Sequence, residues 1–365
     1  MTKIKDIIQY LENIAPPAYQ EGYDNSCLIT GDSSMAVTNV LITLDVTEEV
    51  VQEALDKNCN LIIAHHPIIF KGLKSLTGRN YVERTVIKAL KNDVAIYAIH
   101  TNLDNVFNGV NKKICDKIGL ENTSVLVPRP AMLSKLVTFI PKQNTREVLD
   151  AVHSAGAGNI GNYSHCSFRV EGTGTFKPND VASPHIGKAN EQEEVTEDRV
   201  ELILPTHLER KVIAALHHAH PYEEVAYFLS PLSNYSQEVG AGMMGELKEE
   251  MEPFAFLKHL KSSMSLTCVR HTRTLKKGIK KVAVCGGSGS FLLPAAIAQK
   301  ADVYITADFK YHEFFDAEDR IIIADIGHYE SEVFTKELIH EILSKKFTTF
   351  AHNLSETVTN PISYL

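Results

Sequence analysis

Short continuous apolar runs alternate with amphipathic stretches at both ends of this chain. Leu41 to Leu44 and Leu61 to Ala64 are apolar runs of the buried-strand kind. Between them lies VTEEVVQEALDKN, in which Val50, Ala54 and Leu55 share one helical face. Thr47 can cap that helix, and Val50 and Val51 can pack it on a sheet. A second helix, YVERTVIKALKND, leads to another strand, VAIYAIH. Near the other end, KKVAVCGGSGSFLLPAAIAQKADVYITAD reads as strand, Gly-rich turn, helix, strand, and IIIADIGHYESEVFTKELIHEILSKK as strand, turn, long helix. Strands separated by amphipathic helices predict mostly parallel sheet covered on both faces.

The pattern changes near Pro128 to Pro130. SKLVTFIPKQNTREVLDAVHSAG reads as strand then helix, and polar, Gly-rich short strands such as HCSFRVEGTGTF follow. The acidic stretch NEQEEVTEDR leads into RVELILPTHLERKVIAALHHAH, a strand and helix, and VAYFLSPL is a final strand. The order β-α-β-β-α-β predicts a self-contained α+β ferredoxin-like domain at 130–232. The flanking segments, 1–129 and 233–365, resemble each other: in each a βαβ unit ends in a strand whose C-terminal end carries polar chemistry, LIIAHHP in one and VYITADFKYH in the other. The expected fold class is therefore α/β, with two similar βαβ-containing lobes forming one core around an inserted α+β domain.

A chain of 365 residues exceeds what one hydrophobic core usually covers, which agrees with several domains. The formal charge of -8 supports solubility and gives no broad nucleic-acid footprint. No apolar run is long enough to span a bilayer, and the N-terminus lacks the apolar core of a signal peptide. The six cysteines form no CxxC pair, which argues against a disulfide scaffold and against a thiolate zinc site. A cytoplasmic protein is expected.

Chemistry gathers after the apolar strands, where ligands of open α/β sheets collect. His65 and His66 stand between a strand and Pro67. Adjacent strand residues point to opposite faces, but at a strand end the two imidazoles can converge or serve two different ions. His100 and Asp104 follow the next strand; a carboxylate there can ligate an ion or orient an imidazole, and His100 can do either job. Asp325 ends a later strand, Gly327 permits a turn, and His328 and Glu332, four apart, share one face of the helix that follows. Three imidazoles (His65, His66, His328) and two carboxylates (Asp104, Glu332) exceed the needs of one tetrahedral ion and suit two ions with open positions for water. Mixed N/O donors accept zinc, iron, manganese, cobalt or nickel. Lys310 and His312, after the matching C-terminal strand, are candidates for attracting a phosphate or carboxylate and for moving a proton. The Gly-rich CGGSGS, Cys285 to Ser290, can hold an anion on its amides or simply pack tightly; it is neither a P-loop nor a dinucleotide fingerprint.

HHP after one strand, HTNLD after the next and GHYESE near the end resemble the NIF3-like (DUF34) family, whose members carry the name GTP cyclohydrolase 1 type 2 homolog. The resemblance covers about residues 1–130 and 233–365, with SGSF and ITADFKYHE also similar. It implies a two-metal site on His65, His66, Asp104, His328 and Glu332, with Asp104 and Glu332 as bridging candidates and zinc or iron foremost. It also implies a toroidal homohexamer with the sites facing an internal cavity, and an insertion resembling PII and CutA proteins; AHPYEEVAYFL looks like the CutA-type segment. Two functions stay open. One is a metal-dependent hydrolase of a nucleotide or another small phosphorylated or cyclic compound, with His100, Lys310 and His312 as catalytic candidates. The other is a non-catalytic metal-binding scaffold for regulation, storage or metal insertion. Neither membrane nor nucleic acid is an expected partner.

Overall fold

The computed structural model describes residues 1–275 and 277–365. The chain divides into two compact units, one formed by Met1–Val127 together with Val239–Leu365 and the other by Pro128–Glu238. Its strands, in chain order, are β1 (Leu28–Thr30), β2 (Val40–Thr43), β3 (Leu61–Ala64), β4 (Ala95–Ala98), β5 (Leu120–Pro130), β6 (Leu133–Pro141), β7 (Phe168–Phe176), β8 (Glu193–Pro205), β9 (Tyr227–Leu232), β10 (Tyr235–Met251), β11 (Arg270–His271), β12 (Ile279–Ser288), β13 (Val303–Ala307), β14 (Ile322–Asp325) and β15 (His352–Leu354).

The first unit holds two sheets. One has the order β1-β4-β3-β2-β15, the other β11-β14-β13-β12-β10-β5. In the first, β15, β2, β3 and β4 run parallel, and every residue of β2, β3 and β4 is buried, as expected where both faces are covered. Helix Glu48–Asp56 makes the β2–β3 crossover. The Thr47 hydroxyl caps it by accepting from the Val50 amide at 3.3 Å, and Val50, Val51 and Ala54 bury their side chains on the sheet with Leu41, Ile62 and Ile96. In the second sheet β12, β13 and β14 run parallel, and Ala283, Tyr304 and Ile323 pack under Leu293 and Ala296 of the crossover helix. Both sheets thus present C-terminal strand ends, the places where polar loops can gather.

The second unit is one antiparallel sheet of order β7-β8-β6-β9, with helices Thr145–Ser154 and Glu209–Ala219 packed on it through Val148, Val152, Val212 and Leu216. It runs from Pro128 to Glu238, whereas the sequence pattern placed its limits at 130 and 232.

Several elements differ from expectation. The acidic stretch NEQEEVTEDR is not a lead-in: from Glu193 onward it is the first half of β8, paired with β7. Two of its acidic residues, Glu197 and Asp198, are buried, so charge alone hid a strand. The 17-residue β10 was unforeseen, because its glycines and charges break any apolar run. The expected long helix after β14 is two, His328–Glu332 and Thr335–Ser344. CGGS belongs to the end of β12 rather than to a turn. Among the described residues no helix is long and apolar enough to cross a membrane.

Candidate metal centre

Four imidazoles converge at these strand ends. His65 and His66 leave β3 with their amides still bonded to Thr43 O (3.2 Å) and Leu44 O (2.9 Å), so the chain runs on beside the continuation of β2. Their ring centroids lie 4.9 Å apart. Beyond β4 the chain turns into the short helix Thr101–Asp104, held by Asp24, whose carboxylate accepts from the Thr101 amide at 3.0 Å and from the Thr101 hydroxyl. His100 stands at the start of this turn, 5.2 Å from both the His65 and His66 rings. His328 and Glu332 are carried by the helix after β14, and the His328 ring is 5.3 Å from that of His66.

The orientation of the rings shows what the site is built to do. His65 Nδ1 is 2.9 Å from the Ile99 carbonyl, His66 Nδ1 2.7 Å from Asp45, His100 Nδ1 2.7 Å from Asp24 and His328 Nδ1 2.6 Å from Asp308. Each imidazole is thus tied by one nitrogen to a fixed acceptor, which leaves Nε2 as the nitrogen offered to the cluster. Glu332, 3% exposed, lies among them: Oε2 is 2.9 Å from His66 Nε2 and 3.1 Å from His328 Nε2, and Oε1 is 3.8 Å from His65 Nε2. Gly287 makes room for it, since a Cβ at that position would stand 2.4 Å from Glu332 Oε1. Three donor groups have ligand atoms close enough for one ion each: His65, His66 and His100; His66, His328 and Glu332; and His65, Asp104 and Glu332.

Two buried atoms, His65 Nε2 and Asp104 Oδ1, have no hydrogen-bond partner among the described residues, and they face each other at 3.5 Å. Buried polar atoms are almost always satisfied, and a facing nitrogen and carboxylate oxygen left unsatisfied are a donor pair that fits a divalent cation. The clustered His, Asp and Glu side chains suit a pair of divalent ions.

The electrostatics agree. Burial alone would lower the His66 imidazole, but its bonds to Asp45 and Glu332 outweigh that and hold it at about 10. Burial opposes the proton on His328 too, and Glu332 with Asp308 raise it to about 9. Burial and the neighbouring Glu332 carboxylate push Asp104 up to about 7. Burial works against ionised Glu332, yet the surrounding imidazoles of His328, His65 and His66 hold its carboxyl well below the usual range. The site gathers carboxylates around inward-facing ring nitrogens, a distribution of charge that favours cations.

His65, His66, His100, Asp104, His328 and Glu332 are therefore brought together. Lys310 and His312 are not: both are exposed on the 3-10 segment after β13, and neither lines the pocket in front of the cluster. In the CGGSGS segment the Gly286 and Gly287 amides are engaged by Asn111 Oδ1 at 3.0 Å and Ser331 Oγ at 2.9 Å and so are not offered to an anion. Sequence reasoning missed Asp24 and Asp45, the carboxylates that orient His100 and His66. Asp45 follows β2 just as His65 follows β3, so the strand-end rule reaches it; Asp24 lies in a loop before any parallel strand and gave no such signal.

The pocket has a volume of about 470 Å³. Tyr23, Phe70 and Phe291 form a half-exposed to exposed aromatic rim, and Asn360, Pro361 and Ile362 close one side. Among the described residues its lining contains no Lys or Arg.

The chain matches the Duf34/NIF3 (NGG1p interacting factor 3) family over residues 2–361. It belongs to that family. A Bacillus subtilis relative named GTP cyclohydrolase 1 type 2 homolog is 40% identical over 367 residues, covering 99% of this chain and 98% of its own. The crystal structure of a Bacillus cereus protein related to NIF3 aligns with a TM-score of 0.88 and 40% identity, over 100% of this chain and 99% of that one. A Staphylococcus aureus structure aligns with a TM-score of 0.79 and 30% identity, over 100% and 99%. The overall NIF3-like α/β fold is shared with both.

Proposed function

We propose that this Duf34/NIF3 protein holds two divalent ions on His65, His66, Asp104, His328 and Glu332 and hydrolyses a small ring compound or phosphoester. The observation that carries the reading is the set of imidazoles anchored through Nδ1, with the buried His65 Nε2 and Asp104 Oδ1 left unsatisfied between them. Glu332, whose two oxygens face different imidazoles, and Asp104 would be the carboxylates shared between the ions. Zinc and iron suit these donors first, and manganese, cobalt and nickel are tolerated.

Such a pair, when bound, supplies Lewis acidity and lowers the pKa of coordinated water. The chain's own part is positioning and proton movement. Asp24 accepts from His100 Nδ1 at 2.7 Å, which fixes the ring and leaves Nε2 to take or return a proton at the mouth of the site. The aromatic rim offers flat faces to a ring system. Cys285, also in the lining, is no nucleophile: burial with Asp104 and Glu332 nearby pushes its thiol up to about 12.

The test is turnover by metal-loaded protein against a panel of nucleotides, cyclic nucleotides and small phosphoesters, with His100→Gln alongside. The wild type should release a product saturably, and His100→Gln should keep its metal while losing about a hundredfold in turnover. Absence of turnover across the panel in metal-loaded wild type would move the site to a scaffold role, and metal loss in His100→Gln would make His100 a ligand.

The second unit is, in the same reading, a PII/CutA-type domain: its element order, its β7-β8-β6-β9 sheet and the segment His220 to Glu223 support this. A toroidal homohexamer in the cytoplasm, with nucleic acid taking no part, completes the proposal; light scattering of the purified chain tests the hexamer.

A further inference from the structure

Two motifs left without a role by the metal site meet in the second unit. The Gly-rich strand β7, with its EGTGTF sequence, and the HPYEE segment before β9 line the same cavity of about 670 Å³. That volume is in the range of sites for small organic molecules.

The cavity has a buried acidic floor. Glu197 is 7% exposed, and the Tyr222 hydroxyl donates to its Oε1 at 2.8 Å. Its Oε2 is packed against β7, where a Cβ on Gly174 would stand 2.1 Å away, so glycine is required there for the carboxylate to lie as it does. Two other acidic residues of β8 are paired, Asp198 with Arg169 and Glu201 with Lys135 and Arg199. Among the described residues Glu197 has no such cation. A buried carboxylate held by one hydroxyl keeps acceptor capacity that the N–H groups of a ligand can fill.

The walls supply the rest. The Phe176 and Tyr222 rings meet edge-on at 5.8 Å, and Phe139 adds a third aromatic surface. Glu223 and Glu224 add two more carboxylates at the mouth, and Glu223 accepts from the Ser183 amide at 2.9 Å, which pins the loop after β7 across the opening. Lys177, Arg199 and His185 also line the wall, and Arg199 is engaged by Glu201 at 3.0 Å. Three carboxylates beside aromatic faces are a combination that suits cations.

We propose that this cavity binds a small organic cation, with its ammonium or guanidinium group against Glu197 and its apolar or aromatic body against Phe176, Tyr222 and Phe139. The site is independent of the metal centre, all of whose residues lie in the other unit.

Calorimetric titration of the full-length protein with phenethylamine, agmatine and the neutral isostere phenethyl alcohol tests this. At least one of the two cations should bind saturably, and phenethyl alcohol should bind about tenfold or more weakly than phenethylamine. Glu197→Gln should lose about tenfold or more in cation affinity, Tyr222→Phe should lose less, and Glu332→Ala should bind as the parent does. The comparison of amine with alcohol needs no variant and so holds even if Glu197→Gln fails to fold. Failure of both cations to bind, equal binding of amine and alcohol, or a folded Glu197→Gln with unchanged affinity would each overturn the proposal.

Discussion

A histidine serves a cation well when one ring nitrogen is fixed and the other is free, and the centre repeats that device with a backbone carbonyl, Asp45, Asp24 and Asp308 as the fixing partners. Glu332, with Asp45 beside His66 and Asp308 beside His328, also favours protons on these rings. His66 at about 10 and His328 at about 9 are protonated at pH 7, and Asp104 at about 7 is half so. A divalent ion takes neutral imidazoles and ionised carboxylates, so uptake must release these protons, and affinity must rise with pH and weaken as pH falls. Zinc titrations at pH 7 in buffers of different ionisation enthalpy should report about two protons released per chain; no buffer dependence would contradict the protonated cluster. At this scale the sequence was informative about donors and poor about their supports. A histidine pair after an apolar run is visible in one dimension. The partner of each Nδ1 is not, because Asp24 and His100 are 76 residues apart and Asp308 and His328 are 20 apart.

At the scale of elements, one carboxylate gathers several of the bonds that hold the C-terminal tail, beside the pairing of β15 with β2 and the bonds of Thr359 to Asp45 and Asn360 to Glu330. Glu53, on helix Glu48–Asp56, accepts from the Ser355 hydroxyl at 2.7 Å, the Glu356 amide at 2.8 Å, the Thr357 hydroxyl at 2.6 Å and Lys57 at 2.8 Å. The tail then passes along the metal pocket as Asn360, Pro361 and Ile362. Burial opposes the charge on Glu53, but these donors lower its carboxyl from an ordinary 4.5 to about 2. A depressed folded-state value contributes stability above pH 4.5 that is lost as pH falls toward 2. Glu53→Gln should therefore cost about 1–2 kcal/mol at pH 7, solvent screening allowed for, and much less near pH 2, by denaturant melts of both proteins. An equal cost at both values would assign the effect to shape rather than charge. The elements that were legible are those with continuous apolar runs or a clean helical stripe, such as β2, β3 and the Thr47-capped helix. The illegible ones bury charge or glycine: β8 hides Glu197 and Asp198, and β10 carries Gly240, Gly242 and Gly245 among its buried positions. No feature of the sequence explains the break between the helices His328–Glu332 and Thr335–Ser344.

For the whole molecule, the centre depends on bringing together strand ends from two sheets of one unit: His66 and Glu332 meet across 266 residues of chain. Spacing could supply the candidates but not the convergence, which only the packed sheets provide. All six cluster residues belong to Met1–Val127 and Val239–Leu365, and β5 and β10, where the chain leaves and re-enters, are neighbours in one sheet. Replacing Pro128–Glu238 by a short Gly-Ser turn should thus preserve metal content; its loss in a folded deletion protein would show that the centre needs the inserted unit. The most direct test of the centre itself is the metal content of the full chain, purified anaerobically without added metal, beside Glu332→Ala. About two divalent ions per chain, and clearly fewer in the variant, is the expected result. One weakly held ion or none, unchanged by the substitution, would contradict the dinuclear site.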